Sequence, residues 1–581
     1  MYVALCSKLV NFAFYFIRAV SPHGEAALYL LVLQCLYMPK HIRDSWVQKA
    51  VVYQIYPRSF QDGNGDGVGD LEGVINRLDY LNDGTPQSLG VDAIWLSPIY
   101  SSPMVDGGYD ISDYCDIDPL FGDMETFDHL MKEVRRRDMR IIMDFVPNHT
   151  SSEHPWFKES RHSKEGEKRD WYVWADPKEG GGPPNNWLSV FGGSAWTMDE
   201  GTGQYYLHHF LPEQPDLNWR NPKVREAMHD VLRFWINRRV SGFRTDAIYH
   251  LIEDRDLRDN PPNPSYRKGE EDSYGSLLHE YSTGRDELYQ ALEEFCYVLA
   301  EKGDKFMVTE TYIDVAGMDR MYGACKNGRL APLNHNLMQI PWGAAQYRDF
   351  IDRFDATLKE NEWPNYMLGN HDRSRVVSRV GSEQARLLAI LQLTLRGMPF
   401  IYYGDEIGMR DGKIPPERIV DRVGKVNPML GRDPERTPMQ WDASENAGFS
   451  APGVSPWLPL AADWERKNVA LERDDPHSIL SLYRNLIWHR KESLALLTGS
   501  YRSVEPKNGY VYAYLRECDD ERLLVLLNFD NHDQHICVDF PPAIVIASTH
   551  MCKAGEILDA RGYNLHPYEG LVLSTKPKQS S

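Results

Sequence analysis

The chain has 581 residues, 42% of them apolar and 25% charged, with a formal net charge of −20. That length exceeds one ordinary domain, and the composition is that of a folded globular protein rather than a disordered or fibrous one. So acidic a chain repels nucleic acid and anionic lipid, which excludes both as partners and leaves a neutral ligand.

In chain order, two apolar runs come first, Leu9–Ile17 and Ala26–Met38. Both are shorter than the ~20 residues of a membrane span. No clean small-residue cleavage site follows the second, as a secretory signal would require. Residues 1–45 are therefore read as a leader, with the native start at Met38 and residues 1–37 outside the native protein, and no membrane partner is expected.

From Val51 onward, short apolar runs alternate with helical patterns. The runs read as buried strands at Val51–Tyr56, Ala93–Pro98, Arg140–Phe145, Gly242–Asp246, Phe306–Glu310, Tyr366–Gly369 and Pro399–Tyr403, with another near Leu333–Leu337. Helices are predicted at Phe127–Arg137, Val224–Val240 and Glu383–Leu395. About eight such units imply a parallel sheet closed into an α/β (β/α)8 barrel over residues 46–149 and 221–494. Residues 150–220, rich in Gly, Pro, Trp and Asn, read as a subdomain inserted after strand three. Tyr510–Leu515, Leu523–Asn528 and His535–Phe540 read as strands of a C-terminal antiparallel β domain, a sandwich over 495–581.

Just after the first strand lies DGNGDGVGD, Asp62–Asp70. It lacks the Lys-Ser/Thr of a phosphate loop, and its acids would repel phosphate. Asp62, Asn64 and Asp66 at alternate positions, the Val68 carbonyl and Asp70 form an oxygen set suited to Ca2+ or Mg2+. Gly73 stands where an EF-hand would place its bidentate Glu, so the loop is EF-like without being an EF-hand. Eight cysteines (Cys6, Cys35, Cys115, Cys296, Cys325, Cys518, Cys537 and Cys552) are scattered with no CxxC pair. They read as free thiols in a reducing compartment, and the expected location is cytoplasmic.

Barrel enzymes carry their chemistry at the C-terminal ends of strands. Strand three ends in DFVPNH, strand four in GFRTDA, strand five in VTET and strand seven in GNHD. These ends bring forward Asp246, Glu310 and Asp372, flanked by His149, Arg244 and His371. Glycoside cleavage needs one ionised and one protonated carboxyl, and two neighbouring carboxylates push one pKa upward. Arg244 shares a strand face with Asp246 and can hold it ionised.

These four segments resemble the four short conserved regions of the α-amylase superfamily of glycoside hydrolases, in their usual order. The resemblance implies that Asp246 is the nucleophile, Glu310 the acid/base and Asp372 the transition-state stabiliser. It implies that Asp106, Tyr109, His149, Arg244, His371 and Arg436 surround the first glucose, with Arg432 a rival to Arg436. QPDLN, Gln214–Asn218, is similar to a fifth region of the oligo-1,6-glucosidase and α-glucosidase branch, which takes short substrates from the non-reducing end. In that branch a small residue after the nucleophile, here Ala247, accompanies α-1,4 preference. The resemblance also implies the cation at Asp62–Asp70. The expected activity is a retaining α-glucosidase on maltose-like oligosaccharides, acting as a monomer or homodimer, with transglucosylation alongside. The rivals are a trehalose-forming or sucrose-rearranging glucosyltransferase, and a non-catalytic transporter-associated ectodomain.

Overall fold

Eight apolar runs are buried along almost their whole length, as strands covered on both faces must be. They are β1 (Val52–Ile55), β2 (Ala93–Leu96), β3 (Arg140–Phe145), β4 (Gly242–Thr245), β5 (Phe306–Thr311), β6 (Leu330–Asn334), β7 (Asn365–Met367) and β8 (Met398–Tyr402). This is a computed structural model that describes residues 45–269, 272–551 and 553–576. The expected leader, with its apolar runs and the start at Met38, lies outside those residues apart from Ser45.

The sheet order is β6-β5-β4-β3-β2-β1-β8-β7, with every paired neighbour parallel. The seam between β6 and β7 is bridged by a side chain. Asn365 accepts from Asn334 N–H through Oδ1 and donates to the Pro332 carbonyl through Nδ2, both at 2.8 Å. Pro332 has no N–H to give, so its carbonyl and the Asn334 N–H are the β6 groups that the carboxamide meets. β6 therefore lies earlier than the predicted Leu333–Leu337, and Asn336–Met338 forms a 3-10 turn instead.

Helices cover the sheet by the expected stripes. Met124–Arg136 starts where the Asp123 side chain caps Thr126 N–H, and it buries Phe127, Leu130, Met131 and Val134. Pro222–Asn237 has an Asn221 cap and Pro at its first position, and buries Val224, Met228, Val231, Leu232 and Trp235. The segment after β3 carries three short antiparallel strands over a core of Val173, Trp187, Ala195, Trp196 and Leu207. The C-terminal strands form a six-stranded antiparallel sheet and a two-stranded one. Of the predicted His535–Phe540, the strand is Gln534–Ile536. Arg516, fully buried, ties this domain to the barrel by donating to the Thr394 carbonyl at 2.6 Å.

The expectation of free thiols fails at one pair. Cys296, in the helix Glu287–Ala300 before β5, is disulfide-bonded to Cys325 at the end of the helix Val315–Ala324 after it. Their Cα atoms lie 6.1 Å apart across 29 residues of sequence. Two cysteines with no motif between them give no sign of pairing; the packing of consecutive helices brings them together. Cys115, Cys518 and Cys537 are free, and Cys6, Cys35 and Cys552 lie outside the described residues. A loop of this size predicts about 3–4 kcal/mol of stabilisation by chain entropy. Thermal unfolding with and without a phosphine reductant measures it; equal midpoints would show that the bond contributes nothing.

Candidate active site

Because the eight strands run parallel, their carboxyl ends share one rim. Arg244 on β4, with no exposed side-chain surface, sits at the centre of that rim. Its guanidinium meets Asp144 at 2.6 Å, Asp246 at 2.5 Å and Glu310 at 2.8 Å. Asp144 ends β3, Asp246 follows β4 and Glu310 ends β5, so three neighbouring strands each supply one carboxyl. One cation among three enclosed carboxyls leaves negative charge uncompensated, and such a cluster retains a proton.

The carboxyls divide by depth. Asp144 is buried, and its Oδ2 accepts from Trp95 Nε1–H at 2.9 Å. Burial pushes its carboxyl up to about 6, against the pull of Arg244 and Trp95. Asp246 and Glu310 keep 12% and 15% of their side-chain surface open, so these two are accessible where Asp144 is not. Burial raises Asp246 well above the ordinary carboxylate range; Arg244 opposes this, and Glu310 and Asp144 add to it. Ala247 adopts a left-handed φ of 48° and donates its N–H to Glu310 Oε2 at 3.1 Å. Backbone strain of this kind costs of order 1–3 kcal/mol and clusters at active sites.

Asp372, just beyond β7, stands apart from that pair. Arg436 donates to its Oδ1 at 2.8 Å and to the His371 carbonyl at 2.7 Å. Burial alone would raise the Asp372 carboxyl; His371 and the guanidinium groups of Arg436, Arg432 and Arg244 outweigh it and hold the group well below its usual range. The choice between Arg432 and Arg436 thus ends with both at the site. Arg432 bridges Asp106 at 2.6 Å and Asp372 at 3.5 Å, braced by Asp421 at 2.9 Å.

The other expected residues gather on the same rim. Tyr109 stacks on His371 with ring centroids 5.4 Å apart and 4° between planes. Asp106 accepts from Gln214 Nε2, which also lies 3.1 Å from His149 Nε2. Three residues of this set were not singled out from the sequence: Asp144, Gln214, and Gln54 on β1, whose amide nitrogen lies 2.8 Å from His371 Nδ1. The first two sat inside segments already recognised, DFVPNH and QPDLN, but nothing in a single sequence separates them from their neighbours.

The Asp62–Asp70 loop lies between the short helix Pro57–Phe60 that follows β1 and the helix Leu71–Asn76. Asp62 accepts from Gly65 and Gly67 N–H, Asp70 from Gly63, Asn64 and Gly73, and Asp66 from Val68. The donor set is all oxygen, as a hard cation requires. Each carboxylate now faces backbone N–H groups, and among the described residues no three His, Cys, Asp or Glu side chains are grouped around one point as metal ligands.

Residues 54–499 match the family described as alpha amylase, catalytic domain. The chain is 38% identical to an oligo-1,6-glucosidase of Parageobacillus thermoglucosidasius, over 91% of this chain and 98% of that one. It is 38% identical to Maltase 1 of Drosophila virilis, over 93% of this chain and 89% of that one. Among solved structures, an α-glucosyl transfer enzyme, XgtA, superposes with a TM-score of 0.85 at 37% identity, over 92% of this chain and all of that one. The trehalulose synthase of Pseudomonas mesoacidophila MX-45 superposes with a TM-score of 0.81 at 37% identity, over 91% of this chain and 99% of that one.

Proposed function

The chain belongs to the α-amylase family of glycoside hydrolases, and from that premise we propose that it is a retaining α-glucosidase removing terminal α-linked glucose from short oligosaccharides. The observation that carries this reading is the arginine-bridged pair Asp246 and Glu310, both partly open, with Asp372 clamped separately by Arg436 and Arg432.

In the first step an Asp246 carboxylate oxygen attacks the anomeric carbon as the glycosidic C–O bond breaks. Glu310 gives its proton to the departing oxygen, so the electron pair leaves on a neutral alcohol. In the second step Glu310, now a carboxylate, takes a proton from water, whose oxygen attacks the same carbon and frees Asp246. Two inversions at one carbon return the α-anomer. Asp372 stays ionised beside Arg436 and Arg432, and with His371, His149, Asp106 and Tyr109 it holds the sugar hydroxyls. Ala247, small and next to the nucleophile, leaves room for an α-1,4-linked leaving sugar.

The test is proton NMR of the anomeric region during turnover of maltose. α-Glucose appearing first and then mutarotating is the expected result; β-glucose first would overturn the retaining mechanism. New glycosidic signals would shift the reading towards glucosyl transfer, the activity named for the structural neighbour. No reaction with maltose, isomaltose, sucrose or trehalose would favour a non-catalytic role. Among the described residues no helix is long and apolar enough to cross a membrane. The Cys296–Cys325 disulfide belongs to the chemistry of an oxidising compartment, so the cytoplasmic expectation is not carried forward.

The side chains of Asp62, Asn64, Asp66 and Asp70, with the Val68 carbonyl, are proposed to hold a structural Ca2+ or Mg2+, which would screen three carboxylates within one loop. Ion binding to the folded state alone stabilises it by about 2.7 kcal/mol at a hundred times Kd. The melting temperature should therefore rise in calcium and fall in EDTA, and Asp66→Ala should abolish the difference. Identical melting in both would remove the site.

A further inference from the structure

We propose that Gln54 is a positioning residue of the catalytic centre, its side-chain amide holding His371 in the tautomer that carries its proton on Nε2, facing Asp372. The proposal rests on the reading of the site given above. Gln54 lies on β1 and is 1% exposed. Its Nε2 is 2.8 Å from His371 Nδ1 and 3.3 Å from Ser97 Oγ. Strand β1 pairs with β8, which pairs with β7. Gln54 thus reaches across the barrel end to the residue beyond β7.

The tautomer follows from what faces the other ring nitrogen. His371 Nε2 is 3.2 Å from Asp372 Oδ2 and 2.7 Å from the Tyr109 hydroxyl. An ionised carboxylate only accepts hydrogen bonds. A bare Nε2 accepting from Tyr109 would still set its lone pair against the Asp372 carboxylate; with the proton on Nε2, Asp372 or the Tyr109 oxygen accepts and the Tyr109 O–H turns to Asp144 Oδ2 at 3.4 Å, so Nε2 carries the proton. In a neutral imidazole Nδ1 is then bare and needs a donor, and among the described residues the Gln54 amide is the group that meets it.

Turning the Gln54 carboxamide over does not serve as well. Its Oε1 has no partner where it stands, and a flip would bury two unpartnered N–H groups there in place of one unpartnered carbonyl, the costlier arrangement. Nor does a doubly protonated ring fit, because Nδ1–H would face the amide N–H. The other groups around the imidazole are Tyr56 and Tyr109, stacked on it; Trp95, edge-on; the Asp372 carboxylate; and Arg436, Arg244 and Arg432, whose charges disfavour a second proton. Gln54 therefore fixes a donor at Nε2, where Asp372 or a sugar oxygen can accept.

The direct measurement is ring-nitrogen NMR of the full chain carrying 15N-histidine, with the His371 signals identified by their loss in His371→Asn. The expected spectrum shows Nδ1 unprotonated and Nε2 protonated, unchanged across the range where free imidazole titrates. A protonated Nδ1 overturns the proposal, whatever the substrate proves to be. In kinetics, Gln54→Leu should lower kcat about ten- to a hundredfold with little change in KM, the loss expected when a buried catalytic group loses its partner. Gln54→Glu should draw a proton onto Nδ1 and add an ionisation to the alkaline side of the kcat profile. An unchanged kcat and pH profile in both variants would also overturn it. Should Gln54→Leu fail to fold, the wild-type spectrum decides alone.

Discussion

Replacing Asp246 by Asn should lower kcat by roughly 10^4 to 10^6-fold, the range seen when a covalent nucleophile is removed from an intact site. The amide has nearly the same shape and still offers an oxygen to the Arg244 guanidinium, 2.5 Å away in the unmodified site. It has no charge with which to attack the anomeric carbon. The fold should survive, because Asp144 at 2.6 Å and Glu310 at 2.8 Å remain to balance Arg244. A melting temperature within a few degrees of the parent, together with lost turnover, is the expected pair of results. Retained turnover would refute the nucleophile.

The same residue sets the acid limb of the pH profile. Asp246 must be ionised to attack, and burial raises its pKa, with Glu310 and Asp144 adding to the rise against Arg244. Activity should therefore fall as pH drops through a value above that of an ordinary carboxylate. Asp144→Asn removes one of the charges that raise it, so the acid limb should move to lower pH. A limb that stays in place would leave Asp144 with a purely structural role.

How much of this was legible in the sequence differs by residue, and the reason is geometric. A parallel strand covered on both faces is an unbroken apolar run, and its first polar residues mark the carboxyl end. Asp246, Glu310 and Asp372 could be placed near the carboxyl ends of β4, β5 and β7 for that reason. β6 was misplaced because Pro332 and Asn334 make a polar-looking strand, completed by a side chain from β7. Cys296 and Cys325 were read as free because their pairing depends on how two helices pack around β5. Gln54 was invisible within an apolar run. Its role exists only once β1 and the turn after β7 stand at the same end of the barrel. Arg432 and Arg436 could not be separated because they stand at the two ends of one 3-10 turn, Arg432 capping Asp433–Arg436, and both reach Asp372. The sequence suggested a choice where the fold uses the pair.

Substituting Glu310 by Gln should produce a loss that depends on the leaving group. With maltose the departing oxygen is an alkoxide unless it is protonated, and the lost general acid should cost about 10^2 to 10^4-fold in kcat/KM. With a glucoside of an acidic phenol the leaving oxygen needs no proton, so formation of the glucosyl-enzyme should be largely spared. Its hydrolysis still needs Glu310 as base. The variant should therefore show a rapid burst of phenol followed by slow turnover, a pattern Asp246→Asn cannot give. The geometry supports this division, because Glu310 reaches Arg244 through Oε1 and Ala247 N–H through Oε2. Gln keeps the carbonyl for one of these contacts but sets an NH2 against either Arg244 or Ala247, so some binding loss should accompany the chemical one. Equal losses on maltose and on the activated glucoside would mean that Glu310 positions the sugar without donating the proton, and the acid would then have to be sought elsewhere on the rim.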